Sequence, residues 1–339
     1  MSVGYAIYFV DRLGHRVVRW DPDSGEARVI AGGPSASDPS QTLSEPYGLA
    51  FEPAGTLLIS DKLNHRICRL RKGQLETVPM RDMDGHRAAR PDSPAMFDPD
   101  KVHCPTSLAV EKGGAILCAF YDDDTIYRIH PNGRLELVLG LVPNRHYFHN
   151  PPRQSISMED LHAHPIVGPT GMVLRSDGTI FFVERQSQVV REFHPNRGLR
   201  SLFSLSQMPR WFQRTEAPEE GTLEEYHPVY PSTLTLGPDE SLYLCDNLHG
   251  CVLRIDVERA RFRRVLHHRR TGPFLDGGPV AVAFGSDGTP WVANSDTQEL
   301  RAYSLAGDGT WVPASPRLAS IGKEPLRLGG GGMGVVAGS

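Results

Sequence analysis

A chain of 339 residues with 36 basic and 40 acidic side chains carries a formal charge of -4, so it lacks the basic surplus that binding a phosphate backbone requires. No apolar run reaches the roughly 20 residues of a membrane-spanning helix, and Met1-Ser2-Val3-Gly4 runs straight into an apolar segment without the parts of a signal peptide. The expectation is a soluble, cytoplasmic protein without nucleic-acid or membrane partners. Its five cysteines, an odd number, are Cys68, Cys104, Cys118, Cys245 and Cys251. They read as reduced thiols and not as a disulfide framework.

In chain order, the first element is a strand ending in an acid, a polar turn and a second strand: YFVDRLGHRVVRW, Tyr8 to Trp20. The pattern returns at Leu58 to Leu70, Cys118 to Ile129, Phe182 to Phe193, Leu244 to Ile255 and Val292 to Tyr303. Between these copies lie further strands that open on proline, at Pro46, Pro105, Pro169, Pro231 and Pro279, most with a Gly-containing hairpin turn behind them. The first copy has no such upstream strand, and the surplus segment Gly332 to Ser339 reads as the missing one. Repeats of this length, built from short alternating strands, indicate an all-β, six-bladed propeller of four-stranded antiparallel blades. One ring accounts for residues 1-339 as a single domain. The C-terminal strand, around Met333 to Ala337, joins the N-terminal blade and closes it, leaving no edge to template aggregation.

Asn64-His65-Arg66-Ile67 and Gly14-His15-Arg16-Val17 resemble the strand-entry signature of NHL-repeat propellers, and the other four copies follow it in pattern. The resemblance implies the six-bladed fold. Its functional reach is broad: such rings serve as protein-binding or RNA-binding modules, sensors, and enzymes such as the peptide-amidating lyases, with lactonases on related rings. The amidating lyases hold a catalytic metal through histidines in their inner-strand motifs. Here the matching positions are Thr106, Thr170 and Ser232. Gluconolactonase-like rings place a Glu and Asn residues beside the inner strands, where this chain has Tyr47, Thr106, Thr170, Ser232, Val280 and Met333. A ring of hydroxyls and apolar groups suits a small organic substrate better than a bare hard cation, so Tyr47, Thr106, Thr170 and Ser232 are candidate substrate-binding residues.

The long insertions, Ala31 to Glu45, Arg81 to Cys104, Leu141 to Gly168, Ser206 to Tyr230 and His267 to Gly278, all precede inner strands. They therefore decorate one face, here called the top, while the opposite turns are short. A face of that kind is where binding is expected. These loops hold nine of the 14 histidines. His103, His164 and His227 precede three successive inner strands, so they are the candidate ligands of a divalent transition metal, zinc or iron. The competing reading is that they pack or form hydrogen bonds. His15, His65, His130 and His194 belong to repeat or bottom-face turns and read as structural.

At the ends of the second strands stand Asp11, Asp61, Phe120, Glu184, Asp246 and Asn294. Asp11 and Asp61 read as acceptors for their own turns, whereas Glu184 and Asp246 are candidate general bases if they face the channel. Tyr121-Asp122-Asp123-Asp124 reads as solvated charge. Arg145 and Arg210 are candidate anion anchors among catalytic residues, and Tyr147 and Trp211, in aromatic stretches of the same loops, are candidate pocket walls. Together these features point to an enzyme acting on a small organic molecule, of lyase, hydrolase or cyclase/isomerase type, with metal assistance an open option. The alternative is a non-catalytic NHL-type scaffold that grips a protein partner with its long loops.

Overall fold

The computed structural model describes residues 4–34, 38–80, 103–140, 166–203, 217–268, 278–328 and the backbone of 335–338. The candidates His164, Arg145, Tyr147, Arg210 and Trp211 lie outside these residues.

Six antiparallel sheets form the ring, each with its strands in radial order from the axis outward. The inner strands of blades 2 to 6 are Pro46–Phe51, Pro105–Val110, Pro169–Leu174, Pro231–Leu236 and Pro279–Phe284. Blade 1 takes its inner strand from the C-terminus: Val335–Gly338 pairs with Ala6–Asp11 in the register Phe9 to Val335, Tyr8 to Val336, Ile7 to Ala337 and Ala6 to Gly338. The expected closure is therefore present. Blade 5 carries one extra outer strand, Glu220–Thr222, which comes from the insertion before its inner strand. No helix among the described residues is long and apolar enough to cross a membrane.

The second strands of blades 2 to 5 are buried at every position (Leu57–Asp61, Ile116–Phe120, Ile180–Glu184, Leu242–Asp246), and since successive side chains point to opposite faces, each blade presents an apolar face to both neighbours and the core is the set of seams between blades. At the closing seam, buried Trp20 of blade 1 meets buried Trp291 of blade 6 edge to face, with centroids 5.2 Å apart. Trp291 Nε1 donates to the Tyr5 hydroxyl at 3.0 Å, and that hydroxyl donates to Asp287 at 2.9 Å. Aromatic packing thus joins the two blades that the C-terminal strand also ties.

The repeat supplies its own rivets on the top face. In all six blades the turn between second and third strands ends on a left-handed residue: His15, His65, Asp124, Gln188, Gly250 and Gln298, with φ from 53° to 63°. Three of these reach the next blade and accept the backbone N–H just before its inner strand, and a fourth, Gln298, accepts one on the segment that leads toward blade 1. His15 Nδ1 takes Glu45 N–H at 3.0 Å, His65 Nδ1 takes Cys104 N–H at 3.1 Å, Asp124 takes Gly168 N–H at 2.8 Å, and Gln298 takes Leu328 N–H at 2.6 Å. The repeat histidines are structural, as their turns suggest, and the sequence signature is an inter-blade clamp.

Candidate functional site

The carboxylates that end the second strands have a different job from the one their sequence suggests. Asp11 is fully buried. It binds Arg16 Nε at 2.7 Å through one oxygen and accepts Arg327 N–H at 2.7 Å through the other. Asp61 does the same with Arg66 Nε at 2.8 Å and Ser44 N–H at 2.7 Å. They anchor the incoming top-face loop instead of merely closing their own turn. Glu184, 1 % exposed, pairs with Arg191 Nε at 2.8 Å and accepts the Ser187 hydroxyl at 2.8 Å. The arginine here stands two residues later than in blades 1 and 2, and the longer Glu spans the gap.

In blade 5, Cys251 replaces the arginine, and one Asp246 oxygen accepts the Tyr226 hydroxyl at 2.8 Å, Val229 N–H at 2.9 Å and His249 Nδ1 at 2.9 Å. Burial works against the charged form of His249, but Asp246 beside it raises its pKa above the usual value. Glu184 and Asp246 are thus struts with buried partners, not bases facing the channel.

The hydroxyls assigned to the substrate are largely spent on neighbouring blades. Thr106 Oγ1 lies 3.0 Å from Pro169 O of blade 4, and Ser232 Oγ lies 3.3 Å from Val280 O of blade 6. Donation to these carbonyls staples one inner strand to the next, which corrects the reading of Thr106 and Ser232 as substrate contacts. Thr170 Oγ1 is buried without a partner. Tyr47 stays in play: it is 1 % exposed, its ring lines the channel, and its hydroxyl has no hydrogen-bond partner.

His103 is held by its neighbours. Its Nδ1 lies 3.2 Å from Asp123 Oδ1, its backbone N–H donates to Asp123 at 2.6 Å, and its ring meets His65 edge to face at 5.3 Å. His227 is half-buried beside Tyr226 in the chain leading to blade 5. Among the described residues, no group of three His, Cys, Asp or Glu side chains is arranged to hold a metal ion. Burial pushes the Cys104 thiol up to about 12, so it remains protonated at neutral pH.

What does converge at the top of the channel is the residue one place after each of those strand-ending positions. Blade by blade these are Arg12, Lys62, Tyr121, Arg185, Asn247 and Ser295. The residues that precede the inner-strand prolines add Glu45, Cys104, Gly168 and Tyr230, which adopt left-handed φ of 43°, 51°, 55° and 62°. Such a conformation is strained for the three that are not glycine, and strain of this kind gathers at functional sites. It turns the chain sharply into the inner strand and leaves the pre-proline side chain at the mouth.

The contacts run from blade to blade around the mouth. Lys62 Nζ lies 5.9 Å from the Tyr47 ring centre and 5.4 Å from that of Tyr121. The Arg185 guanidinium lies over the Tyr230 ring at 4.5 Å and donates to its hydroxyl. Arg12 is paired with Glu45 at 2.7 Å. Burial raises the Tyr47 phenol, while Arg185 of blade 4 and Arg12 of blade 1 draw it down and Tyr121 and Tyr230 oppose them. Groups from blades 1 to 5 interact this way only at the ring's centre. Burial, then Arg12, lowers the Lys62 ammonium below its ordinary value.

Neither Lys62 nor Arg185 has a carboxylate partner among the described residues. In blade 5, the equivalent Asn247 is fully buried with both side-chain amide atoms unpartnered. Half-buried cations and buried polar atoms without partners are costly in a finished interior. Below them, a channel cavity of about 280 Å³ is lined by the inner strands, with Tyr47 at its top and Leu49, Leu108, Met172, Leu234 and Val282 among its walls. The mouth is cationic and aromatic, and the channel is mostly apolar. Within their own turns Arg12, Lys62, Arg185 and Asn247 carry no local motif that marks them as functional. The available signal was the position after the strand-ending acid, read down all six copies.

No family model matches the chain, and no curated protein matches its sequence. Among solved structures, it is similar to a nidogen/laminin complex component (TM-score 0.61, 13% identity, 98% of each chain covered). It is also similar to a streptogramin B lyase (TM-score 0.54, 14% identity, 92% of this chain and 79% of the other). A third is a gluconolactonase from Xanthomonas campestris (TM-score 0.50, 15% identity, 80% and 75% covered). At these identities the likeness establishes the fold alone: the chain is a six-bladed β-propeller, an architecture that carries enzymes and protein-binding modules alike.

Proposed function

We propose that the protein is an enzyme acting on a small organic anion at the top of the central channel. The single observation behind this reading is the meeting of Arg12, Lys62 and Arg185, from three blades, around Tyr47, Tyr121 and Tyr230, with Glu45 on Arg12 and no described carboxylate on the other two cations. A carboxylate or phosphate would complete both. Arg185 offers a planar fork suited to paired oxygens, and the tyrosine faces and apolar channel receive the body of the molecule. The reaction class that fits is proton transfer next to a charged group, as in a lyase or isomerase, with the Lys62 amine and the Tyr47 hydroxyl as the exchangeable protons nearest the anion. The lyase and gluconolactonase among the similar structures are in keeping with an enzyme on this fold.

The test is calorimetric titration with phenyllactate, which joins a carboxylate to an apolar ring. Saturable one-to-one binding is expected, weakened about tenfold or more in Arg185→Leu, since a charge-assisted hydrogen bond carries about 1.5–3 kcal/mol. Equal affinity in that variant would refute the site. A second reading, a scaffold for a protein partner, draws on the long top-face loops and on the likeness to a chain from a nidogen/laminin complex. A scaffold would show no saturable binding of small carboxylates.

A further inference from the structure

Lysine is scarce in this chain. Lys62, Lys72, Lys101, Lys112 and Lys323 are its five lysines, against 31 arginines. Where only a fixed positive charge is wanted, this sequence uses arginine, in its strand-ending ion pairs and in the two neighbours of Lys62 at the mouth. The property lysine has and arginine lacks is that it can shed its proton and become a nucleophile. Lys62 is also the only one of these lysines that the described structure places among the side chains of the channel mouth. Its Nζ sits between the Tyr47 and Tyr121 rings, and no described carboxylate or hydrogen-bond acceptor holds it. The chain around it is fixed: Asp61 is tied to Arg66 and to Ser44 N–H, and Leu63 N–H donates to Ser44 O at 3.0 Å.

From this placement, resting on the anion site argued above, we propose that Lys62 is a Schiff-base lysine and that the substrate is a carbonyl compound carrying a carboxylate, of the 2-oxo acid class. The neutral amine attacks the carbonyl carbon. A C–N bond forms as the carbonyl π pair moves to oxygen, which takes up a proton to give the carbinolamine. Loss of the two amine protons and that oxygen as water leaves a C=N bond, so amine and carbonyl give imine and water with no oxidant or reductant. The Tyr47 hydroxyl, unpartnered at the top of the channel, is placed to deliver and recover the proton. Arg185 holds the carboxylate, and burial together with Arg12 lowers the ammonium below its ordinary value, which favours the neutral amine that attacks. Once formed, the imine withdraws electrons from the adjacent carbon, which is the activation a lyase or isomerase needs.

The experiment is to incubate the full chain with phenylpyruvate and sodium cyanoborohydride, then measure intact mass and map peptides. The expected result is one reduced adduct per chain on Lys62, absent in Lys62→Arg and suppressed by excess phenyllactate. Phenylacetone, which keeps the carbonyl and lacks the carboxylate, should label at least tenfold more slowly. Adducts spread over Lys72, Lys112 and Lys323, or labelling unchanged in Lys62→Arg, would overturn the proposal. Calorimetry separates the two readings: phenylpyruvate that binds reversibly without a Lys62 adduct defeats the Schiff base and leaves the anion site standing, whereas absence of both defeats both.

Discussion

Replacing Glu184 by Gln separates a strut from a catalytic base. Glu184 and Arg191 are each 1 % exposed, and the pair is bonded at 2.8 Å with Ser187 and Ser201 completing the oxygens and the guanidinium. Gln preserves shape and removes the charge, which leaves the Arg191 guanidinium buried without its counter-ion. Breaking a buried pair from one side costs about 3–5 kcal/mol, whereas replacing both partners with apolar groups of similar volume is often neutral. Urea unfolding followed by tryptophan fluorescence should therefore show a large drop in stability for Glu184→Gln. Much of it should be recovered in Glu184→Leu with Arg191→Met, a coupling that a double-mutant cycle reads directly. Phenyllactate affinity of the folded Glu184→Gln protein should match the parent. Unchanged stability with lost binding or turnover would refute the reasoning and return Glu184 to the site.

Other consequences follow from the same contacts. Ending the chain before Val335 should lower the melting temperature of the whole ring and promote association through the bared Ala6–Asp11 edge; an unchanged melting curve would show that this strand does not close the propeller. His249, whose pKa is raised in the fold by Asp246, contributes stability that is fully present below its unfolded pKa of about 6.5 and is lost as pH rises through the higher folded value. Urea midpoints across that window should fall in the parent more than in His249→Asn, which copies the bond that Asn64 makes to Asp61 at 2.8 Å in blade 2; identical profiles would contradict this. His103→Ala should cost stability through the lost Asp123 and His65 contacts while leaving the metal content of purified protein unchanged, and loss of a stoichiometric metal would restore the histidine-ligand reading. Substitution of Lys112, Asp177 or Asp239 on the opposite face should leave phenyllactate affinity as it is, since a loss there without unfolding would place the site on the wrong face.

The architecture was legible because six copies repeat one pattern, and because an inner strand missing from the first copy and a surplus one at the end have a single topological solution. The site was less legible. Asp246 and Glu184 stand out in a sequence as acids after apolar strands, yet whether an acid faces a channel or an arginine depends on whether that arginine lies five or seven residues on and which loop N–H comes down on it. Thr106 and Ser232 lie at the channel mouth by register, but their hydroxyls bond to the next blade, contacts made between residues 63 and 48 positions apart. Lys62 and Arg185 were hidden for the opposite reason: each looks like an ordinary turn residue within its own repeat, and only the ring brings them together.

Lys62 and Arg185, the mouth cations without a carboxylate partner among the described residues, are expected to hold the substrate's anionic group, and a crystal structure of the full chain with phenyllactate is the direct test. The prediction is a carboxylate within hydrogen-bond distance of Arg185 and Lys62, with the phenyl ring against Tyr47 toward the channel. Electron density for the ligand in the bottom-face groove between blades 4 and 5, lined by Arg175, Asp239 and Glu258, or a mouth left empty at saturating ligand, would contradict it.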